Sequence, residues 1–325
     1  MKISYVLPIK WDKNIDELTS YLEYIAPNVD LIIVDGSEPV NFEEHRLVWS
    51  ALGKHIAPYT QFQFLNGKVN GVLTGLIASE NAHIIIADDD VRYTLDQLHE
   101  LDQLLLQSEL IVPQNYFDPC PWHAQWDSSR SLLNLALAHD YPGTLAVQRD
   151  FILAVGGYDG NVLFENLELI RTVKAGNGKV LGKPELLIRR LPPSSKHFWS
   201  QRVRQAYDDY AQPARWLFFV AFIPTLIVLA SFSLWLILVI VVAAIAIAEV
   251  GRQKFGGIKV FSISCSFFAP VWLLERGICT WLAIFNKFLK GGVRYSGSVI
   301  SNAANPISKI RQRLKTIKPL TRTIT

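Results

Sequence analysis

Cysteine is scarce in this chain: three residues in 325, Cys120, Cys265 and Cys279, at spacings that match no metal-binding motif and in an odd number. A disulfide-stapled scaffold and a cysteine metal centre are thereby excluded. The first residues lack the apolar core of a signal peptide, because the apolar run 3–7 meets Pro8 and Lys10 at once. The N-terminal part of the chain is therefore expected to stay in the cytoplasm. Internal repeats and low-complexity segments are missing. So is a Walker loop: Asn66-Gly67-Lys68-Val69-Asn70-Gly71 has glycines and a lysine but not the full pattern, which excludes nucleoside-triphosphate hydrolysis of that type.

Acidic residues nearly vanish late in the chain. Residues 213–325 hold two Asp or Glu against 14 Lys or Arg, whereas residues 1–212 hold 27 against 18. The overall charge of +3 conceals this asymmetry. Residues 216–248 carry no charge at all, a run longer than the roughly 20 apolar residues that cross a bilayer. As one straight helix it would measure about 50 Å against a hydrocarbon core of about 30 Å. It therefore either folds as a hairpin near Ser231-Phe232-Ser233 or kinks at Pro224. Arg252, Lys254 and Lys259 come after it and favour the hairpin with a cytoplasmic loop. A further apolar segment, 260–286, is interrupted by Pro270 and by Glu275-Arg276 and reads as re-entrant or as a third segment. The basic residues at 291–325 adjoin a hydrophobic region directly, so they suit anionic phospholipid and not nucleic acid.

The chain before residue 212 has the rhythm of an α/β domain. Strands are expected at 3–7, 31–34, 62–65, 83–87 and 144–147. Helices are expected at 15–25, 69–79, 95–106, 127–139 and 163–174. Short apolar strands alternating with amphipathic helices indicate a mostly parallel, Rossmann-like sheet covered on both faces. Ligands of such sheets sit at the carboxyl ends of the strands. Asp35 and the run Asp88, Asp89 and Asp90 fall there. Two carboxylates at i and i+2, Asp88 and Asp90, suit a hard divalent cation that takes its remaining ligands from substrate phosphates. Three aspartates also make an ordinary solvated turn; the apolar strand before them favours the site. Lys68, near a helix N-terminus, suits a phosphate.

The series Tyr5-Val6-Leu7-Pro8, Val34-Asp35-Gly36-Ser37, Gly67-Lys68-Val69-Asn70, Ile86-Ala87-Asp88-Asp89-Asp90, Phe164-Glu165-Asn166-Leu167-Glu168 and Gln201-Arg202-Val203-Arg204 resembles the family 2 glycosyltransferases. The Lys-x-Asn form is similar to the ceramide-glucosyltransferase-like branch. The resemblance implies a GT-A fold over residues 1–212, cytoplasmic and followed by membrane helices. That membrane region would cover 213–290, as a hairpin 216–249 plus the segment 260–286, with a basic cytoplasmic tail at 291–325. It implies a multi-pass protein of the cell membrane, a UDP- or GDP-sugar donor, Mg²⁺ or Mn²⁺, and inverting transfer to a lipid acceptor. By the same resemblance Asp35 meets the nucleoside, and Asp88 and Asp90 hold the metal, Asp88 also facing the donor. Lys68 and Arg204 serve the donor phosphates, and Gln201 with Trp199 position the substrates.

Two positions depart from the pattern. Asn166 stands where the family presents an aspartate base, and an amide cannot take a proton; Glu165 is the candidate general base instead, ahead of Glu168 one turn on. Gln205 stands where the family has a tryptophan, for which Trp199 is the substitute. Asn166 also motivates the alternative of a catalytically silent nucleotide-sugar-binding membrane scaffold. A transporter fits less well, since Glu275 and Arg276 are the only ionisable residues within the apolar segments.

Overall fold

The computed structural model describes residues 2–12, 14–138, 140, 143–295 and 298–320. The chain opens with β1 (Ile3–Ile9), α1 (Asp16–Ile25), β2 (Asp30–Asp35), α2 (Pro39–Trp49) and β3 (Lys54–Ile56). Next come α3 (Gly67–Ala78), β4 (His83–Ile86), β5 (Val91–Arg92), α4 (Leu95–Leu104) and β6 (Leu110–Phe117). The middle holds α5 (Trp122–Leu137), β7 (Leu145–Gln148), α6 (Arg149–Ala154), α7 (Glu165–Ala175), β8 (Val180–Arg190) and α8 (Ser195–Tyr207). The last elements are α9 (Pro213–Phe232), α10 (Leu234–Gln253), α11 (Ile263–Phe267), α12 (Ala269–Lys290), β9 (Val293–Tyr295), β10 (Ser298–Ile300) and α13 (Ile307–Leu314). They form two compact units interleaved in sequence. The first comprises Met1–Pro113, Pro142–Lys183 and Asn305–Thr325; the second, Gln114–Tyr141 and Pro184–Ala304.

In the first unit, six strands of an eight-stranded sheet run in the order β3-β2-β1-β4-β7-β6. β1 pairs in parallel with β2 and β4, and β2 with β3, while β7 is antiparallel to both β4 and β6. Ile3, Tyr5, Val6 and Leu7 are all buried, as expected of a parallel strand covered on both faces. β1 continues through Pro8, where the sequence suggests a stop. Val6 turns its carbonyl toward Ala87, so Pro8, two residues on, faces the same side. β4 has already ended there at Ile86, and the missing N–H leaves no ladder bond unmade.

α3 lies unusually close to β1. A Cβ on Gly75 would fall 2.3 Å from Val6 Cγ1, and one on Gly71 would fall 2.6 Å from Pro8 Cβ. Only glycine permits that approach, which brings the N-terminus of α3 to the carboxyl end of the sheet. The third expected strand is displaced: residues 62–65 form a loop, and the strand beside β2 is β3. The Asn70 side chain bonds both the N–H and the C=O of Phe64, so that stretch needs no strand partner.

From Asn305 to Leu320 the basic C-terminal segment packs on this unit, with Lys309, Arg311, Lys315 and Lys318 exposed. Ile310 of α13 is buried, Arg313 donates to Gly157 O, and Leu320 N–H donates to Leu153 O.

The second unit is largely helical. α5 begins at Trp122, ahead of the expected 127, and His139, at the expected end, lies outside the described residues. Leu132 and Leu133 of α5 share a core with Phe219, Ala244, Ala248, Cys265 and Trp272. α10 comes so near that a Cβ on Gly251 would fall 1.9 Å from Leu132 O. α9 and α10 break at Ser233, whose side chain accepts from Trp235 N–H; Pro224 lies within α9 and does not end it.

Among the described residues, two helices are long and apolar enough to cross a membrane, Pro213–Phe232 and Leu234–Lys259. Their apolar windows are only 6% and 17% buried, unlike the core helix of a globular domain. Pro270 sits in the first turn of α12, where a missing N–H costs nothing. Glu275 and Arg276, the charges within that apolar stretch, are paired: Glu275 with Arg202 at 3.6 Å, Arg276 with Asp209 at 3.5 Å.

Candidate active site

Three side chains singled out by sequence meet in the first unit. Lys68 comes from the first turn of α3, Asp88 from the turn after β4, and Glu165 from the first residue of α7. Lys68 Nζ lies 2.6 Å from Asp88 Oδ1 and 2.9 Å from Glu165 Oε1. All three side chains keep some exposure, between 13% and 16%. Burial works to strip the proton from Lys68, but the charges of Asp88 and then Glu165 outweigh it and hold its pKa above the ordinary lysine value.

The surrounding loops are fixed by local bonds. Asn66 caps α3 by accepting from Lys68 N–H, and its amide donates to Val162 O. Val91 N–H closes the aspartate turn on Asp88 O, and Arg92 Nη1 donates to Asp89 O. Glu165, at the start of α7, also complements the unsatisfied N–H groups there.

Asp35 ends the neighbouring strand β2 and is buried. Its Oδ2 receives His45 Nδ1 at 2.7 Å and His55 Nε2 at 3.0 Å, and its Oδ1 receives Ser37 N–H at 2.9 Å. Burial acts to raise its pKa, yet the bonds from His55, Ser37 and His45 together lower it to about 2. His45 stacks on Trp49 and His55 on Phe42. In this arrangement both Asp35 oxygens serve the protein itself.

Glu168 is likewise buried, accepting from Asn305 N–H at 2.7 Å and from its amide at 3.0 Å. Burial raises its pKa despite those bonds. It ties α7 to the C-terminal segment, and that role sets it apart from Glu165.

Trp199, Gln201 and Arg204 lie on α8 in the second unit. Trp199 joins Trp122, Trp126 and Phe198 in a cluster of rings. Gln201 contacts His197, and the Arg204 guanidinium lies 5.2 Å from the centre of the Tyr295 ring. The arginine between them, Arg202, is buried: it pairs with Asp127 at 3.1 Å and covers Phe198 at 4.0 Å.

Several residues of these surroundings carry no sequence signal. Tyr158 and Tyr93 are buried near the Lys68 trio. Burial raises both phenols, with Glu165 adding for Tyr158, and Tyr21 then Asp88 for Tyr93. His45 and His55 reach Asp35 only through the fold, since neither is at a motif spacing from it.

Asp88 lies in the turn after β4, where its Oδ1 faces Lys68 Nζ, and Asp90 lies two residues on in the same turn. Among the described residues no group of three or more His, Cys, Asp or Glu could hold a metal ion by itself. A divalent ion held by one or two carboxylates would need further ligands, such as substrate phosphates.

Solved structures of other proteins share this architecture. A mannosyltransferase, PcManGT from Pyrobaculum calidifontis, solved with GDP-Man and Mn²⁺, superposes with a TM-score of 0.51 at 14% identity. The match covers 86% of this chain and 87% of that one. The fold is GT-A. The GT-A likeness at this identity is one of fold alone. Glucosyl-3-phosphoglycerate synthase from Mycobacterium tuberculosis, solved with Mg²⁺ and UDP, overlaps more loosely, with a TM-score of 0.42 at 16% identity over 60% of this chain and 73% of that one. No protein-family model matches the sequence, and no curated protein does.

Proposed function

We propose that the chain is an inverting glycosyltransferase of family 2. It would move a sugar from a UDP- or GDP-sugar to a lipid or membrane-associated acceptor, with Mg²⁺ or Mn²⁺ required. The observation that carries this reading is the Asp88–Lys68–Glu165 trio at the strand ends of a GT-A sheet. It sets a phosphate-binding cation and a proton-accepting carboxylate within one hydrogen-bond length of each other. The structural neighbour's GDP-Man and Mn²⁺ support the donor and metal assignments.

In the reaction Glu165 takes the proton of an acceptor hydroxyl. The hydroxyl oxygen bonds to the anomeric carbon as that carbon's bond to the diphosphate breaks, and the electron pair leaves with the diphosphate oxygen. Lys68 exchanges its carboxylate partners for the phosphates and holds part of that charge in a partly water-excluded place. Asp88 and Asp90 would hold the divalent ion, which when bound supplies further neutralisation of the leaving diphosphate. Asp35 would meet the nucleoside. Trp199, Gln201 and Arg204 of α8 would serve in substrate positioning, an assignment that rests on the motif resemblance alone.

The two long apolar helices, with cytoplasmic loops on either side, form the membrane hairpin. The catalytic part, 1–212, lies in the cytoplasm, and the exposed basic residues among 291–325 face phospholipid.

The decisive measurement is nucleotide release by the purified, membrane-reconstituted protein across a panel of UDP- and GDP-sugars, with Mn²⁺ and with chelator. Release that depends on metal and disappears in Asp90→Ala is expected. Metal-dependent nucleotide binding with no release from any donor would instead establish the silent scaffold that Asn166 suggests.

A further inference from the structure

The second unit contains a cavity of about 370 Å³ bounded by α8, the end of α12 and β9. Three cationic side chains line it, one from each element: Arg204, Lys290 and Arg294. His197, Ser200, Gln201 and Asn286 add hydrogen-bonding groups, and no acidic residue contributes to its wall. The convergence has a local cause. Gly291 ends α12 in the left-handed conformation at φ 72°, and the chain turns at once into β9. Gly292 lets that turn close, since a Cβ there would fall 2.4 Å from Ile300 O. Lys290 and Arg294, four residues apart, therefore reach the same space as Arg204. The C-terminus of α12 brings about half a negative charge to this place, too little to offset three full positive ones.

The outer face of α12 indicates what kind of anion suits the cavity. Along this helix the exposed residues Val271, Leu274, Ile278, Leu282, Phe285 and Leu289 keep helical spacing. Trp272, Arg276, Cys279, Thr280 and Ala283 fill the opposite, buried face. The exposed apolar stripe runs the length of the helix and ends beside Lys290. An apolar rail leading to a pocket of three cations is complementary to a molecule with a long hydrocarbon chain and an anionic head.

We propose that this cavity binds the phosphate head of a long-chain lipid, whose chain lies along the exposed face of α12. Arg204 and Arg294 offer paired N–H donors to the phosphate oxygens, and Lys290 offers a point charge where the hydrocarbon begins. Arg204 and Gln201 also serve in the transferase reading, so the test turns on Lys290 and Arg294, which its catalytic step does not use.

The test uses the full chain in detergent solution, titrated with dodecyl phosphate, inorganic phosphate and dodecanol and followed by tryptophan fluorescence. Dodecyl phosphate is expected to bind at least about tenfold more tightly than either half-molecule. The double variant Lys290→Ala/Arg294→Ala should weaken it by roughly tenfold or more, because charge-assisted bonds to the head are lost. The exchange Lys290→Arg/Arg294→Lys should restore most of the affinity. Removing two exposed lysines elsewhere, Lys174→Ala/Lys179→Ala, should change nothing, which separates a built site from general attraction to a basic protein. The proposal fails if the Lys290/Arg294 double alanine variant binds dodecyl phosphate as the parent does. It fails equally if inorganic phosphate binds as tightly as dodecyl phosphate, which would mark a site for free anions. Nucleotide release is measured separately, so loss of either result leaves the other standing.

Discussion

Two carboxylate clusters stand at strand ends of the same sheet, and they are built on opposite plans. Around Asp35 every oxygen is satisfied by a fixed donor: two histidine rings held by stacking, and a backbone N–H. Around Asp88 and Glu165 the partner is the end of a flexible lysine that keeps contact with solvent. The first arrangement lowers the energy of the folded chain and leaves a nucleoside little more than the remaining lone pair of Asp35 Oδ1. The second is satisfied for the present but can be rearranged by an incoming phosphate. A charge paired with a movable charge near water is available for chemistry; one enclosed by rigid donors is part of the scaffold.

Substitutions can break this contrast, and the largest effect is expected at Glu165. Glu165→Gln should lower nucleotide release by roughly 10²–10⁴-fold, the contribution of a positioned base, with little change in the urea midpoint. Release close to the parent value would remove Glu165 from the base role. Asp35→Ala should act on stability, costing about 3 kcal/mol in urea unfolding as two buried rings lose their acceptor. A raised KM for the donor with unchanged stability would show that Asp35 acts on the nucleoside and not on the scaffold.

The pH dependence sharpens the same point. The Asp35 carboxyl is depressed to about 2 from an ordinary 3.8. Its contribution, about 2 kcal/mol by linkage, is therefore full above pH 4 and is lost as pH falls through 2. Asp35→Ala should flatten the acid limb of the stability profile in that window, whereas Glu165→Gln should leave it in place. The smallest effect is expected at Glu168: Glu168→Gln keeps an acceptor for Asn305 and should leave turnover within about twofold of the parent.

The sequence made much of the first unit legible, because β1, β2 and β4 are apolar on both faces and two of them, β2 and β4, end in acidic turns. β8 was hidden: Lys183, Pro184, Glu185, Arg189 and Arg190 give it no strand pattern. β3 was misplaced because Asn70 supplies by side chain what Phe64 would otherwise seek in a strand. Lys68, Asp88 and Glu165 were each visible as types of residue at motif positions. Their meeting was not, since it depends on Gly71 and Gly75 letting α3 settle onto β1. The pairing of Glu275 and Arg276 with Arg202 and Asp209 was equally invisible, because partners from separate helices leave no periodic trace.

The contact of Asn305 with Glu168 and Asp159 bears on how this molecule is assembled and divided. The ribosome delivers Asn305 only after the whole apolar hairpin, so the GT-A unit stays unfinished until residue 305 has emerged. A fragment cut after residue 212, the natural choice for a soluble enzyme, would leave the buried Glu168 facing an empty groove. Adding residues 305–325 back as a separate peptide should then restore what the cut removed.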